Sequence, residues 1–385
     1  MSHTSSHSAV SPSRKSVWMQ EIPVLLGLAT GVIALSHWSP AGPMTGGANL
    51  LWTGWILICI LTCAFRAMLQ AEALAVQFGE PIGTIILTVS AITIEVAAVA
   101  AMMLPLQEDN SVARDTMFAV LMLIFNLLIG LAILLGGMRK RSQEFNPGSS
   151  SNYLSFIIAL GTIALILPTF THSEQGGWMS DSMEIYVGIT CLVIYILFLI
   201  SQTSASREFF EHKSTEKEKI HAHAVHHSIA ITIMLLVISL GAVVMLAESV
   251  GARVTVLFQT WNLPAPLSGI FIAALVLAPE GLAALRASRE DDMQRSINVL
   301  LGSALATIGL TVPAVIVMRY VTGVSPELGL EPPYIALFVL TFAVSIVNLM
   351  RGRVNMMQGV VHLLIFATWI MVIFDEASVM QNAQP

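Results

Sequence analysis

The sequence predicts an all-α polytopic membrane protein: about eleven transmembrane helices, arranged as one leading helix followed by two inverted five-helix repeats. Three observations predict it. Only 11% of the 385 residues are charged against 55% hydrophobic, and the mean hydropathy is +0.78. A soluble domain carries about 25% charged residues, and half that share cannot cover a globule of this size. The apolar residues fall in blocks of about 17 to 25, each long enough to cross a hydrocarbon core of ~30 Å. One long polar stretch, 203–227, separates six blocks from five. A secreted, nuclear or cytosolic enzyme is thereby excluded. The net charge of −6 says little, because the placement of Lys and Arg matters more than the total.

In chain order, residues 1–21 are polar and Ser/His-rich and read as a disordered cytoplasmic tail. Span 22–38 is the leading helix, with Gly27 and Gly31 spaced for helix packing. It could instead be a cleaved signal peptide, since Arg14 and Lys15 precede it and Ala34-Leu35-Ser36 resembles a cleavage site. An uncleaved first span serves equally for export, so retention is expected. Spans 48–66, 82–104, 114–137, 153–170 and 183–202 complete a first unit, 22–202. The linker 203–227 carries His212, His221, His223, His226 and His227, which could bind a metal or sense pH; a solvated linker is the plainer reading. Spans 228–247, 264–286, 296–318, 333–349 and 357–374 form the second unit, 228–375, before a tail at 376–385. Cys59, Cys63 and Cys191 all lie inside apolar blocks, so neither a disulfide framework nor a zinc ribbon is implied.

Charge placement orients the chain. With the N-terminus inside, 15 of the 18 basic residues fall in cytoplasmic segments, and only Arg114, Arg253 and Arg319 fall outside. That is the asymmetry of the positive-inside rule, with the C-terminus outside. The first five-helix unit then starts outside and the second starts inside, which makes them inverted repeats with a site expected where they meet at the midplane.

A sequence echo supports the repeat. Shifting the chain by 185 residues sets EPIGTIILTVSAITIEVAAVA (80–100) against APLSGIFIAALVLAPEGLAAL (265–285), pairing Pro81 with Pro266, Ile85 with Ile270, Glu95 with Glu280 and Ala98 with Ala283. The two glutamates are the only carboxylates well inside the expected spans. A charge at the bilayer centre costs at least ~2.5–3.5 kcal/mol and marks an ion or proton path by default. A structural ion pair would need a Lys or Arg deep in a span, and the expected spans hold none. A buried carboxylate is comfortable when neutral with a proton or ionised beside a cation. Two facing glutamates are therefore neutralised by two protons, one divalent cation or two monovalent cations, and each occupancy excludes the others. That is exchange by competition for one site.

A hard cation needs further oxygen ligands. Thr88, Ser90 and Thr93 precede Glu95, Asn126 lies in the fourth span, and Ser303, Thr307 and Thr311 lie in the ninth. Pro279 and Gly281 flank Glu280 and should break its helix, freeing carbonyls that are tolerated only beside a cavity or site. Glu80 could relay cations at the cytoplasmic mouth or simply favour a helix N-terminus. His362 lies inside the last span, where a hydrogen-bonded packing role is preferred over a proton relay.

The run Phe78-Gly79-Glu80-Pro81-Ile82-Gly83 leading to Ile94-Glu95-Val96, then Leu277-Ala278-Pro279-Glu280-Gly281-Leu282, Gly302-Ser303, Thr311-Val312-Pro313 and Asn355…Gly359…His362 resembles the bacterial ChaA-type antiporters. These form part of the calcium/proton exchanger branch of the Ca²⁺/cation antiporter superfamily. The likeness covers nearly the whole chain from about residue 20. It implies an eleven-helix antiporter exporting Ca²⁺, Na⁺ or K⁺ against H⁺, with one essential glutamate per repeat, matched here by Glu95 and Glu280. Where the wider family carries Gly-Asn-Ala before each glutamate, this chain has Ala91-Ile92-Thr93 and Val276-Leu277-Ala278. Fewer oxygen ligands imply broader selectivity than Ca²⁺ alone.

The expectation is a bacterial inner-membrane antiporter without cofactor, whose partners are inorganic cations, protons and the bilayer, with no nucleic acid. A cation channel or uniporter is the alternative within transport. An intramembrane metalloprotease would want HExxH, which the sequence lacks, and no span supplies a base beside a nucleophilic serine.

Overall fold

The computed structural model describes residues 19–36, 45–79, 82–103, 111–171, 179–203, 228–264, 266–323 and 327–383. Residues 1–18 of the expected tail, Glu80, and the linker from 204 to 227 with its five histidines lie outside the described residues. The helices are α1 (Ile22–Leu35), α2 (Gly47–Phe78), α3 (Ile82–Met103), α4 (Val112–Arg139), α5 (Pro147–Phe170), α6 (Asp181–Thr203), α7 (Ile229–Thr260), α8 (Pro266–Val276), α9 (Ala278–Arg289), α10 (Met293–Val321), α11 (Pro332–Leu349) and α12 (Met356–Ala383). Eight of them, α2, α4–α7 and α10–α12, are long and apolar enough to cross a membrane alone. The pair α8 and α9, bent by 60° at its break, makes a ninth span, and α1 and α3 add two shorter apolar helices. The chain is thus a multi-pass membrane protein, compatible with the expected eleven spans.

Local chemistry sets the ends. α5 opens on Asn146, whose side chain accepts from Gly148 N at 2.9 Å, with Pro147 in the first turn. α10 opens on Asp292, which accepts from Arg295 N at 3.1 Å. α10 closes its final turn at Gly323, left-handed at φ 76°, where a side chain would be strained. A two-stranded antiparallel ribbon, β1 (Gln143–Glu144) with β2 (Arg353–Val354), is the one departure from an all-helical description among the described residues.

Three spans run well past their expected C-terminal ends. α2 runs to Phe78 rather than ending at 66, and α7 runs to Thr260 rather than 247; each is 32 residues long. α12 runs to Ala383 rather than 374, so the expected tail from 376 is helical through 383. The residues that follow the apolar windows of α2 and α7, AMLQAEALAVQF and ESVGARVTVLFQT, contain no proline, and the first is rich in good helix formers, so no breaker stops either helix when hydrophobicity falls. Gly79 stops α2 at φ 66°, and Asn262 at φ 53° follows α7. Arg253, expected in an outer loop, is therefore inside a helix, 6% exposed and bonded to Asn49 Oδ1 at 3.2 Å. Arg114 likewise belongs to the first turn of α4, buried, where it donates to Asp115 Oδ1 and to Gly329 O, both at 2.9 Å.

The helices divide into two packed groups. α1, α2 and α7 share apolar clusters around Cys63, Leu74 and Val243 and around Ile56, Leu246 and Val250. A larger core, with Phe125, Ile157, Leu301, Ile308 and Trp369, joins α4, α5, α6 and α10–α12. α3 packs against α2 and α7 on one side and α10 on the other. α4 packs against α8, α9 and α12, and α10 packs against α3 and α6. Arg139 bonds to Arg289 O, Lys140 pairs with Asp291, and the ribbon sets Arg353 opposite Glu144, so these basic residues and their chain neighbours share one end of the bundle, the basic end.

Candidate cation site

Glu95 is placed by α3 in the middle of the bundle and is 6% exposed. The facing stretch of α10, Thr307–Thr311, is a π-helical turn, which holds an extra residue per turn and commonly accompanies functional sites. Both threonines present their hydroxyls to Glu95: Thr307 Oγ1 donates to Oε2 at 2.8 Å and Thr311 Oγ1 to Oε1 at 3.2 Å. Both carboxylate oxygens of a first-half residue are thus held from the second half of the chain.

Glu280 sits in the first turn of α9, just past the break. The break is local: Leu277 N still reaches Ala273 O at 3.0 Å and Gly281 N reaches Leu277 O at 2.8 Å. Pro279 lacks the N–H that would serve Leu275 O, and its ring forces the bend. A first-turn carboxylate also meets the positive end of the helix dipole. Glu280 Oε2 is buried with no hydrogen-bond partner among the described residues.

Both glutamates line one cavity of about 280 Å³, with Thr88, Ser90 and Ser303 among its polar walls. The cavity runs toward the basic end, where Glu72, Tyr153, Gln202, Arg295 and Asn298 line it. Behind Glu95, toward the opposite end, Ile308 and Val312 are fully buried. Among the described residues no three His, Cys, Asp or Glu gather as a metal cluster. A cation here would rest on two carboxylates and neutral oxygens, an arrangement that leaves room for protons to compete.

Residues 48–204 and 231–374 match the sodium/calcium exchanger protein family. The chain belongs to that family. It is a family of transporters rather than enzymes. This exchanger-family chain is 32% identical over 351 residues to the sodium-potassium/proton antiporter ChaA of Escherichia coli (strain K12), covering 90% of this chain and 94% of that protein. It is 24% identical over 266 residues to a Ca²⁺/H⁺ antiporter of Synechocystis, covering 63% of this chain and 69% of that protein. Its fold is similar to that of the H⁺/Ca²⁺ exchanger CAX, with a TM-score of 0.71 at 14% identity over 94% of this chain and 92% of the other. Native YfkE gives 0.68 at 16% identity, over 92% and 99%.

Within the exchanger fold, the oxygen-bearing residues singled out by sequence separate into two groups. Thr88, Ser90 and Ser303 line the cavity and Thr307 holds Glu95. Thr88 shares a hydrogen bond with Tyr195, and Ser90 bonds back to Ile86 O at 2.7 Å. Thr93 is outside the cavity lining and bonds back to Val89 O at 2.7 Å, the ordinary habit of a helical threonine. Asn126 is also outside it: fully buried in a π-helical turn of α4, it donates to Thr341 Oγ1 at 2.9 Å. His362 is fully buried against Asn348, away from the cavity.

Sequence reasoning missed Glu72, Tyr153, Tyr195, Gln202, Arg295 and Asn298. Glu72 and Arg295 lay beyond the expected span ends, and Arg295 shows that a cationic side chain does reach the cavity. Gln202 donates to the Tyr153 hydroxyl at 3.3 Å, a pairing of residues 49 apart that no local pattern announces.

Proposed function

We propose that the protein is a secondary active antiporter that exchanges cytoplasmic Ca²⁺, Na⁺ or K⁺ for external protons at Glu95 and Glu280, in the bacterial inner membrane with its N-terminus cytoplasmic. The observation that carries this reading is the shared cavity: two buried carboxylates, one from each half of the chain, with one oxygen of Glu280 unpartnered. Its uncommitted lone pairs suit a proton or a cation, and occupancy by one displaces the other. Thr88, Ser90, Ser303 and Thr307 supply neutral oxygens, and ion exchange calls for no cofactor. The exchange of packing between halves, α4 on α8 and α9 against α10 on α3, supports two inverted repeats, 22–202 and 228–375. With the basic end cytoplasmic, the cavity faces inward, ready to load a cytoplasmic cation. A cavity sealed behind Glu95 gives the channel reading no support.

The test is dye-monitored collapse of a pH gradient in everted membrane vesicles as Ca²⁺, Na⁺ and K⁺ are each titrated. Cation-dependent proton movement is expected in the native protein and its loss in both Glu95→Gln and Glu280→Gln, with the protein still in the membrane. Full exchange in either variant would sink the two-carboxylate mechanism.

A further inference from the structure

Tyr195 of α6 is 4% exposed and lines the cavity, and it touches the same two helices that Glu95 and its threonines join. On α10 it lies against Gly309, midway between Thr307 and Thr311. A β-carbon added at Gly309 would stand 2.8 Å from both Cβ and Cδ2 of Tyr195 and 2.9 Å from its Cγ. On α3 the Tyr195 hydroxyl shares a hydrogen bond with Thr88. Thr88 precedes Glu95 by seven residues, or two turns, so the two side chains leave the same face of the helix.

The arrangement is stiff. The bare backbone at Gly309 seats the ring, and a tyrosine has only two rotatable side-chain bonds, so a seated ring fixes where its hydroxyl stands. The same face of α6 continues along the cavity, with Phe198, Leu199 and Gln202 lining it at i+3, i+4 and i+7. Phe198 packs on Tyr153 with ring centroids 5.0 Å apart. A buried phenol needs a partner for its hydroxyl, and in this wall the partner is Thr88.

The consequence concerns lone pairs. A hydroxyl carries one proton and two acceptor sites, and a cation requires an oxygen whose proton points elsewhere. Thr307 and Thr311 meet that condition by donating to Glu95, and Ser90 meets it by donating to Ile86 O at 2.7 Å. Thr88 meets it by donating to Tyr195 Oη. With that acceptor removed, the Thr88 hydroxyl is free to aim its proton into the cavity, where it repels a cation.

We propose that Tyr195 is a positioning residue of the cation site: seated on Gly309, it accepts a hydrogen bond from Thr88 and so turns the Thr88 lone pairs toward the cation. The proposal rests on the exchange reading and adds a member to that same site. It also accounts for a tyrosine where a phenylalanine would fill the wall equally well.

The experiment measures ²²Na⁺ and ⁴⁵Ca²⁺ binding to the full chain in lipid nanodiscs, with cation-driven proton flux in vesicles alongside. Tyr195→Phe keeps the ring and removes the acceptor. It should weaken cation affinity about five-fold, the worth of one hydrogen bond, and lower the maximal rate of flux by less than that. Thr88→Val should weaken affinity by a similar factor, Thr88→Ser should stay within about two-fold of native, and Tyr195→Phe with Thr88→Val should be no weaker than Thr88→Val alone. Native affinity in Tyr195→Phe overturns the proposal. So does a double variant whose loss equals the product of the two single losses, or a loss in Tyr195→Phe matched by a fall in thermal midpoint, which would assign the residue to packing. If the native protein binds these cations but moves no protons, the exchange reading fails and the binding series still decides the role of Tyr195. A native protein that binds neither cation overturns both.

Discussion

Thr307 donates its hydroxyl to Glu95 across 2.8 Å and 212 residues of sequence, so a residue of the second half fixes the carboxylate of the first. Hydrogen bonds to a charged group contribute about 1.5–3 kcal/mol. Thr307→Val, which keeps the shape and removes the donor, should weaken apparent cation affinity roughly ten-fold or more, while Thr307→Ser stays within about three-fold. Cation titrations of proton flux in vesicles measure both, and equal affinity in the valine variant would show that the bond does not serve the ionised site.

Gly309 lies between the two threonines, and an added Cβ there would meet Tyr195 Cβ at 2.8 Å. A β-carbon so close to its own backbone cannot swing aside. Gly309→Ala should push α6 from α10 and cost about 1–3 kcal/mol. The thermal midpoint in detergent should fall, and flux should fall more than the midpoint alone explains.

Arg319 is bonded to both Glu184 and Asp181, and the Glu184 side chain is only 2% exposed. Removing one member of a buried pair strands the other charge, at about 3–5 kcal/mol. Arg319→Leu should therefore lower stability by roughly that amount, and adding Glu184→Gln should restore at least half of it. No recovery in the double variant would assign the loss to packing instead.

Glu331, ahead of α11 and half exposed, is raised from its ordinary carboxyl value: partial desolvation raises it, Arg114 pulls it down, and Glu376, Asp115 and Glu327 add to the rise. A carboxyl whose folded-state value is raised costs stability as pH climbs through the unfolded value, and the penalty is absent at lower pH. Glu331→Gln should therefore raise the thermal midpoint at pH 7 relative to native and leave it nearly unchanged near pH 4. An increase of equal size at both values would rule out titration as the cause.

Much of this architecture could be read before any coordinates. Apolar blocks mark each helix because a bilayer demands about 20 apolar residues per crossing, and Pro279-Glu280-Gly281 announced the broken helix. Glu95 and Glu280 stood out because charge is otherwise absent at that depth. The cavity walls were illegible for a physical reason: Glu72 and Arg295 lie where hydropathy has already declined, and the helix continues on backbone hydrogen bonds that hydropathy does not sense. Asn126 misled because its residue type suits a cation, whereas its partner was decided by α11 packing against α4. Nor could periodicity foresee the π-helical turn that lets Thr307 and Thr311 bracket one carboxylate.

The two 32-residue helices carry a last consequence. At 1.5 Å per residue each is about 48 Å long, against a hydrocarbon core of about 30 Å. Such helices must lean or protrude, and their lean follows the thickness of the surrounding lipid. Ala64, Ala67, Ala71 and Glu72 of α2 form one wall of the cavity. Lipids with longer acyl chains would stand that wall more upright and shorter ones would lay it down, so the membrane itself becomes a setting on the site.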